Sequence, residues 1–203
     1  MGLISNGTTL LDAGAISAAK GALTLIKTVT ASSSATISFV HGTSDVVLDS
    51  TYPIYLFKFY DIHPSADGED LGFQANASGG SGYNETITST AFRTFHNEDD
   101  SGTGLGYRAA EDQAQGTGFQ DLIHQAASDN DQNACGTLHL FSPSSTVFVK
   151  HFFFTGNHVG PTDFSREWFI AGYINTTSAI TEIQFKMSSG NIDSGTIKLY
   201  GVT

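Results

Sequence analysis

The sequence has few charged residues, a single cysteine and no long apolar run. Charged side chains account for 14% of the 203 residues, against about a quarter in an average soluble protein, so uncharged polar side chains and glycine must form most of the surface. Cys135 has no partner for a disulfide within the chain. Because no stretch resembles a membrane span or a secretory signal, we expect a soluble chain made in the cytoplasm, with no membrane partner.

The net charge is strongly negative. With 20 acidic and 9 basic residues, the formal net charge is -11, and no local cluster of Lys or Arg offsets it. Such a surface repels a phosphate backbone, so we expect no nucleic-acid partner. Hydrophobic residues make up 39% of the chain and include 15 Phe, which is enough material for a core between two packed sheets.

The first 21 residues differ from the rest of the chain. They mix short apolar pairs with turn residues and show no sustained periodicity, which predicts an extended N-terminal arm over residues 1–21. Exposed apolar side chains would make such an arm prone to nonspecific association, so we expect them to contact the domain or a neighbouring subunit. The candidate contact residues are Leu3, Ile4, Leu10, Leu11 and Ile16.

From residue 22 onward the pattern is that of short strands. Segments rich in Ile, Val, Thr and Phe alternate with turn signals. Ala22–Thr30 and Ala35–His41 predict a hairpin, and Tyr52–Asp61, apolar at nearly every position, predicts a central strand covered on both faces. Further strands are expected at Leu71–Ala77, Gly136–Phe141, Thr146–Thr155, Glu167–Asn175, Ile180–Met187 and Gly195–Val202, with shorter ones near Ala91–Phe95 and Phe119–Ile123.

The spacing of strands and turns predicts one all-β domain over residues 22–203. Short strands divided by turn signals such as Ser142–Ser145 and Ser188–Asn191 are typical of an antiparallel sandwich. We therefore expect a single jelly-roll-like β-sandwich with an extended N-terminal arm. An immunoglobulin-like strand order produces the same pattern, so the order of the strands stays open.

No arrangement of residues in the sequence predicts catalysis. The seven histidines show no spacing typical of a zinc site, and no Gly-x-Ser-x-Gly elbow is present. His151 and His158 are the closest pair, and we expect one at a strand edge and the other in a loop. Cys135 begins a strand and is expected to be buried. The sequence therefore predicts a protein that is not an enzyme, with no cofactor and no metal site.

Three groups of carboxylates and one Asn-rich segment offer ligands without a defined site. Asp67–Asp70, Asn97–Asp100 and Glu111–Asp112 are expected to lie in solvated loops, although glycoside hydrolysis would need two such carboxylates across a groove. Asp129–Asn133 has oxygen ligands at alternate positions but lacks the glycine and closing glutamate of an EF-hand, so a structural cation there stays open. Trp168, among apolar neighbours, is expected in the core.

Three parts of the sequence carry a resemblance to known proteins: Leu3–Gly14, Ile62–Asp67 with Gly82–Thr86, and Ile183–Val202. Together they resemble virion structural proteins of tailed bacteriophages, in particular marine ones. The closing strand Ser194–Val202 is the most specific, since it is similar to the final strand of phage decoration and tail-associated β proteins. The resemblance covers most of the chain and carries over no catalytic residues.

This resemblance implies a virion component assembled in the host cytoplasm. It points first to a capsid decoration (cement) protein that binds and stabilises the major capsid protein shell as an oligomer. We expect a homotrimer whose arm clamps neighbouring subunits. The alternative is a tail-fibre or spike module that binds a host surface glycan through loops near residues 63–70, 97–107 or 156–168. Placement on the capsid or on the tail stays open.

Overall fold

The computed structural model describes residues 22–203 and, before them, three short strands. These are β1 (Leu3–Ser5), β2 (Thr8–Asp12) and β3 (Ala15–Ile16), which pair antiparallel in that order. The predicted arm over residues 1–21 therefore contains a small sheet of its own. The side chains of the predicted contact residues Leu3, Ile4, Leu10, Leu11 and Ile16 lie outside the described residues.

Residues 22–203 form strands joined by turns and loops, with no helix in this part of the chain. Accordingly, no helix long and apolar enough to cross a membrane occurs among the described residues. Aromatic and β-branched residues dominate the strands, because such side chains suit a pleated, half-buried surface. The strands are β4 (Leu23–Thr30), β5 (Ile37–Val40), β6 (Ile54–Pro64), β7 (Glu69–Ala77), β8 (Ile87–Asn97), β9 (Thr103–Tyr107), β10 (Ala114–Gly116), β11 (Gln120–Ala126), β12 (Ala134–Phe141), β13 (Lys150–Gly160), β14 (Phe164–Ile174), β15 (Ile180–Met187) and β16 (Ile192–Val202).

The strands form two antiparallel sheets packed against each other, which confirms the predicted β-sandwich. The larger sheet has nine strands in the order β10-β8-β14-β13-β12-β6-β16-β4, with β9 also paired to β8. The smaller sheet has four strands in the order β11-β7-β15-β5. The jelly-roll topology expected from the sequence stays a prediction.

The core between the sheets is built mainly from phenylalanine. Phe185 of the smaller sheet meets Phe57 and Phe59 of the larger sheet edge-to-face, with ring centroids 5.3 and 5.1 Å apart. Phe73 and Phe152 form a similar pair across the core at 4.9 Å. Such pairs contribute about 0.5–1.5 kcal/mol each beyond the burial of apolar area, so these rings join the two sheets.

Alternation along the long strands separates core from outer surface. On β13, Phe152 and Phe154 are buried, whereas His151 and Phe153 point outward. His158 also lies in β13 and is buried, so the prediction that one of the two histidines occupies a loop is wrong. β6 alternates in the same way. The prediction that this strand is covered on both faces is therefore wrong too, because its outward apolar residues lie on a partly exposed face.

β4 and β5 do not form the hairpin predicted from their sequences. β4 pairs with β16 in the larger sheet, and β5 pairs with β15 in the smaller one. The residues between them follow the start of β16, where the Ala31 N–H donates to Gly195 O at 2.9 Å and the Ser33 N–H donates to Asp193 O at 2.8 Å. This Ser-rich segment therefore carries the chain from one sheet to the other instead of reversing it.

The closing strand, β16, lies inside the larger sheet between β6 and β4. Ile197 and Leu199 are fully buried, which confirms the strand predicted at Gly195–Val202. Gly195 has a φ of 115° where the pairing with β6 is irregular, and glycine adopts that conformation at little cost. β16 is thus the last strand in sequence order and part of the core.

Candidate functional site

The outer face of the larger sheet exposes a row of apolar side chains. Directly opposed residues of an antiparallel pair lie on the same face. The register places Leu25 opposite Tyr200, and Tyr200 opposite Leu56. Leu56 opposes His139, which in turn opposes Phe153 of β13. One continuous row of apolar groups therefore crosses β4, β16, β6, β12 and β13.

A second row continues to the other edge of the sheet. Phe169 of β14 opposes Phe92 of β8, and Phe92 opposes Tyr107 of β9. Leu105, two residues before Tyr107, is 73% exposed. We call the two rows together the aromatic face, and its members are Leu25, Leu56, Phe92, Leu105, Tyr107, His139, Phe153, Phe169 and Tyr200.

Rings of the aromatic face stack on one another in near-parallel pairs. Phe92 and Phe169 have centroids 4.8 Å apart and an interplanar angle of 9°. His139 and Phe153 stack at 4.1 Å and 21°. Burial, and then the charge of Lys58, lowers the pKa of His139 below its usual range, so both favour the neutral form of this imidazole. The two stacked pairs therefore form the apolar part of the aromatic face.

A trough of about 370 Å³ lies beside the aromatic face on the same side of the sheet. Lysines stand over two tyrosine rings near it: Lys58 Nζ is 5.9 Å from the centroid of Tyr200, and Lys198 Nζ is 5.1 Å from that of Tyr60. Such cation–π contacts hold the charge against the sheet surface. The lining of the trough includes Lys58, Tyr60, Cys135, Asn157 and Glu167.

Cys135 lies in this trough and is exposed, so the prediction that it is buried is wrong. Ala134, the residue before it, is 2% exposed and faces the core. Because side chains alternate along β12, Cys135 must then point outward. Its Sγ accepts a hydrogen bond from the backbone N–H of Asp61 at 3.4 Å.

A second candidate site is a charged cluster around His124 of β11, at the edge of the smaller sheet. His124 Nδ1 is 2.9 Å from Asp70 Oδ1, and its Nε2 is 3.4 Å from Glu111 Oε1. Glu111 is 3% exposed and accepts a hydrogen bond from Arg108 Nη2 at 2.6 Å. The imidazole therefore lies between two carboxylates, one of which is buried and paired with an arginine.

Irregular pairing of β11 with β7 brings the members of this cluster together. The register shifts twice between Asp121 and Ala126, and Gln125 has a φ of 61°. On a regular strand, residues three positions apart point to opposite faces. Here the ligand atoms of Asp70, Asp121 and His124 all lie within 4.8 Å of one another. The bulged backbone of β11 therefore overrides the alternation and assembles the cluster.

Strands β13 and β14 of the larger sheet supply the buried wall of the cluster. The indole of Trp168 packs edge-to-face against His124 with centroids 6.0 Å apart. Arg166 Nη1 donates to His124 O at 3.3 Å, and its guanidinium lies 4.1 Å from the centroid of Phe164. Trp168 Nε1, Arg166 Nε and both ring nitrogens of His158 are buried without a hydrogen-bond partner. Trp168 is 1% exposed, which confirms its predicted place in the core.

Burial and like charges shift the pKa values of three groups in and around the cluster. Burial, and then the charge of Asp70, raises the pKa of Asp121 to about 7. Burial, and then the charge of Arg166, lowers the pKa of His158 to about 3. Burial and neighbouring Arg93 lower the pKa of Arg166 to about 10. The charged forms of these groups are therefore costly in the folded protein.

The predicted carboxylate groups differ in their surroundings. Asp99 and Asp100 are exposed, as expected of a solvated loop. The solvated-loop prediction is wrong for Asp70 and Glu111. The Gln125 N–H donates to Asp70 Oδ1 at 2.8 Å, and the ion pair with Arg108 holds Glu111 in a buried position. Strand pairing and ion pairing therefore draw both carboxylates into the cluster.

The Asp129–Asn133 segment uses its amide side chains for separate hydrogen bonds. Gln132 is buried, and its Nε2 donates to Asp163 Oδ1 at 3.2 Å. Asn133 Nδ2 donates to Asp61 Oδ1 at 3.1 Å. These two amides are therefore committed to different partners instead of converging on one centre.

Comparisons with known proteins add no function. No protein-family model matches the sequence, and no curated protein matches it. A crystal structure of a protein of unknown function from Bacteroides ovatus aligns with 52% of this chain and 45% of its own, at 4% identity and a TM-score of 0.28. The chain thus spans less than half the length of that protein, and so low a similarity carries no argument.

Proposed function

We propose that the protein is a non-enzymatic bacteriophage virion protein that attaches to the capsid shell as a decoration protein. The observation that supports this proposal is the aromatic face. Phe92, Tyr107 and Phe153 on it are 42, 58 and 40% exposed. Soluble monomers rarely expose contiguous apolar patches larger than a few hundred Å², and covering such a patch is favourable. The outer face of the larger sheet is therefore our proposed docking surface.

The proposed occupant of the aromatic face is the major capsid protein, not a second copy of this chain. Lys58 and Lys198 border the face, although the chain as a whole carries a net charge of -11. In a twofold contact of this face with itself, the lysines of one copy would approach those of the other, which is unfavourable. An apolar, neutral or acidic surface on the shell is complementary to it.

The resemblance to phage decoration proteins adds a homotrimer and a clamping arm to the proposal. An interface of about 1,600 Å² in total suffices for a stable complex, and repetition around the shell adds avidity. Sedimentation equilibrium tests the trimer. Deletion of residues 2–21 tests the arm, and capsid binding undiminished by the deletion would contradict the clamp.

Co-sedimentation with capsids tests the docking surface. Capsids depleted of the protein are mixed with the wild type or with a Phe92→Ser, Phe153→Ser double variant. We expect the double variant to bind at least about tenfold more weakly, since burying each ring contributes about 1.5–3 kcal/mol. The control Tyr83→Ser removes a partly exposed ring beside Ser38 and Glu182 of the smaller sheet and should leave binding unchanged. Equal binding by all three proteins would contradict the proposal.

A tail-fibre or spike module that binds a host surface glycan is the second candidate, and the trough favours it. Tyr60, Asn157 and Glu167 line the trough and offer an aromatic ring, an amide and a carboxylate, groups that orient polar ligands in binding sites. Saturable binding on a glycan array that is lost in Tyr60→Ala would support this function. Densitometry of virions separates the two candidates, because a shell protein is present in hundreds of copies and a tail protein in far fewer.

A further inference from the structure

The ligand atoms of Asp70, Asp121 and His124 form a compact set at the junction of β7 and β11. All three atoms lie within 4.8 Å of one another, and all three residues are partly exposed. We propose that these residues bind a divalent transition-metal ion of the Zn²⁺ or Mn²⁺ class. This site lies outside the aromatic face, so the inference does not depend on the proposed function.

The chemistry of the donors selects the class of metal. One imidazole nitrogen and two carboxylate oxygens form a mixed set that suits Zn²⁺, Mn²⁺ or Fe²⁺. Calcium and magnesium prefer oxygen donors alone, so the histidine disfavours them. Three protein ligands leave at least one coordination position for water, as in metal sites with an open position.

His124 is oriented as a metal ligand would be. Its Nδ1 is buried and has no hydrogen-bond partner, although Asp70 Oδ1 is only 2.9 Å away. The contact is therefore not aligned for a shared proton. On the other side of the ring, Nε2 faces Glu111 Oε1 at 3.4 Å. A proton on Nε2, on the side of Glu111, leaves the lone pair of Nδ1 free, which is the tautomer that metal binding through Nδ1 requires.

Glu111 contacts His124 on the side of the ring opposite to the proposed ion. A metal-bound histidine commonly donates its other ring N–H to a carboxylate, which fixes the ring and raises its basicity. Glu111 is 3% exposed and is held by Arg108 Nη2 at 2.6 Å. The ion pair with Arg108 fixes the position of the Glu111 carboxylate without any metal. The ring of His124 is therefore held in place before an ion binds.

The buried wall beside His124 contains a polar group without a hydrogen bond. Trp168 is 1% exposed, its Nε1 has no hydrogen-bond partner, and its indole packs edge-to-face against His124. A buried indole N–H without an acceptor is costly. Trp168 therefore places beside His124 a buried donor to which no protein atom supplies an acceptor.

Metal binding would also offset a repulsion built into the fold. Two carboxylates brought together at a partly buried position repel each other, and a dication between them turns that repulsion into attraction. The ion would link β7 to the bulged edge strand β11. Since it binds the folded chain and not the unfolded one, it would raise stability in proportion to the logarithm of its concentration.

Calorimetric titration of the full-length protein tests the site. The protein is stripped with EDTA, dialysed and titrated with Zn²⁺ and Mn²⁺, with Ca²⁺ and Mg²⁺ as comparison ions. We expect one ion per chain for Zn²⁺ or Mn²⁺, weaker binding of Ca²⁺ and Mg²⁺ by at least about tenfold, and a higher melting temperature in the bound state. Failure of both Zn²⁺ and Mn²⁺ to bind at one per chain would overturn the proposal.

Variants assign the ion to these residues. His124→Gln and Asp121→Asn should each abolish one-to-one binding, and Glu111→Gln should weaken it by about 10–100-fold. The matched control His96→Gln replaces an exposed histidine that also contacts an aspartate, Asp100, at 3.0 Å, and should bind as the wild type does. Circular dichroism confirms that each variant is folded. If His124→Gln does not fold, the binding measurement on Asp121→Asn tests the assignment. Wild-type affinity for the ion in either folded variant would overturn it.

Discussion

The ring of Tyr52 packs directly on the backbone of Gly201, so no side chain fits at this position of β16. We expect Gly201→Ala to push the ring out of the core and lower the free energy of unfolding by about 1–3 kcal/mol. Urea unfolding measures the change. In the control Gly106→Ala, the added Cβ meets no atom within 4 Å, so its stability should stay within about 0.5 kcal/mol of the wild type. Equal stability of the two variants would contradict this contact.

Phe185 of the smaller sheet contacts two phenylalanine rings of the larger sheet. It lies edge-to-face to Phe57 and Phe59 at 5.3 and 5.1 Å, and it is fully buried. We expect Phe185→Ala to cost about 3–5 kcal/mol, from lost burial and a residual cavity. Phe153→Ala, at a residue that is 40% exposed, should cost far less in the isolated protein. Similar losses in the two variants would show that the sheets are not joined at Phe185.

His158 should make stability depend on pH. Its folded pKa of about 3 lies below the usual 6.5, so the unfolded chain takes up a proton that the folded chain resists. The neutral residue's contribution is present above about pH 6.5 and is lost as pH falls toward 3, by at most about 1.4 kcal/mol per pH unit. Unfolding in EDTA at several pH values measures the slope. We expect His158→Gln to flatten it and the exposed-site control His96→Gln to leave it unchanged.

Asp121 should act on stability in the opposite direction. Its folded pKa of about 7 lies above the usual 3.8, so its favourable contribution is present below pH 3.8 and is lost as pH rises toward 7. In EDTA at about pH 8, Asp121→Asn should therefore be more stable than the wild type by about 1–3 kcal/mol. The advantage should disappear near pH 4.

Saturating Zn²⁺ should reverse the sign of the Asp121→Asn effect, because the wild type would then gain the binding free energy that the variant lacks. Asp131→Asn, at an exposed residue, is the control and should be neutral in both conditions. A destabilised Asp121→Asn variant in EDTA would mean that the wild-type carboxylate is not repelled at this site.

Strand positions were predictable because alternation and turn signals are local. Ile180–Met187 coincides with β15, and Leu71–Ala77 falls within β7. Pairing was not predictable in the same way. The Ser-rich residues after β4 have the composition of a tight turn, but their backbone groups bond to β16, a strand at the far end of the chain. Local composition does not reveal such a partner.

The exposure of the aromatic face could not be predicted from the sequence, because its residues are as apolar as core residues. Tyr52–Asp61 is apolar at almost every position, which predicts burial on both faces, yet the outward residues of β6 are only partly covered. A sequence pattern does not distinguish burial by the same chain from burial by another protein.

The sequence gives only a weak indication of the cluster around His124. Asp121 and His124 flank two buried residues within a short strand, and ionisable groups in such a segment require a reason. Their convergence with Asp70 depends on the bulges of β11. No residue pattern in this strand predicts those bulges.

The position of β16 between β6 and β4 has a consequence for synthesis of the chain. β4 is made early and its partner β16 late, so the larger sheet cannot close until β16 has emerged from the ribosome. Pairings between such distant segments slow folding. Until then, β4 and β6 expose unpaired backbone edges to other nascent chains, and cells that express the protein at high level should rely on chaperones during this interval.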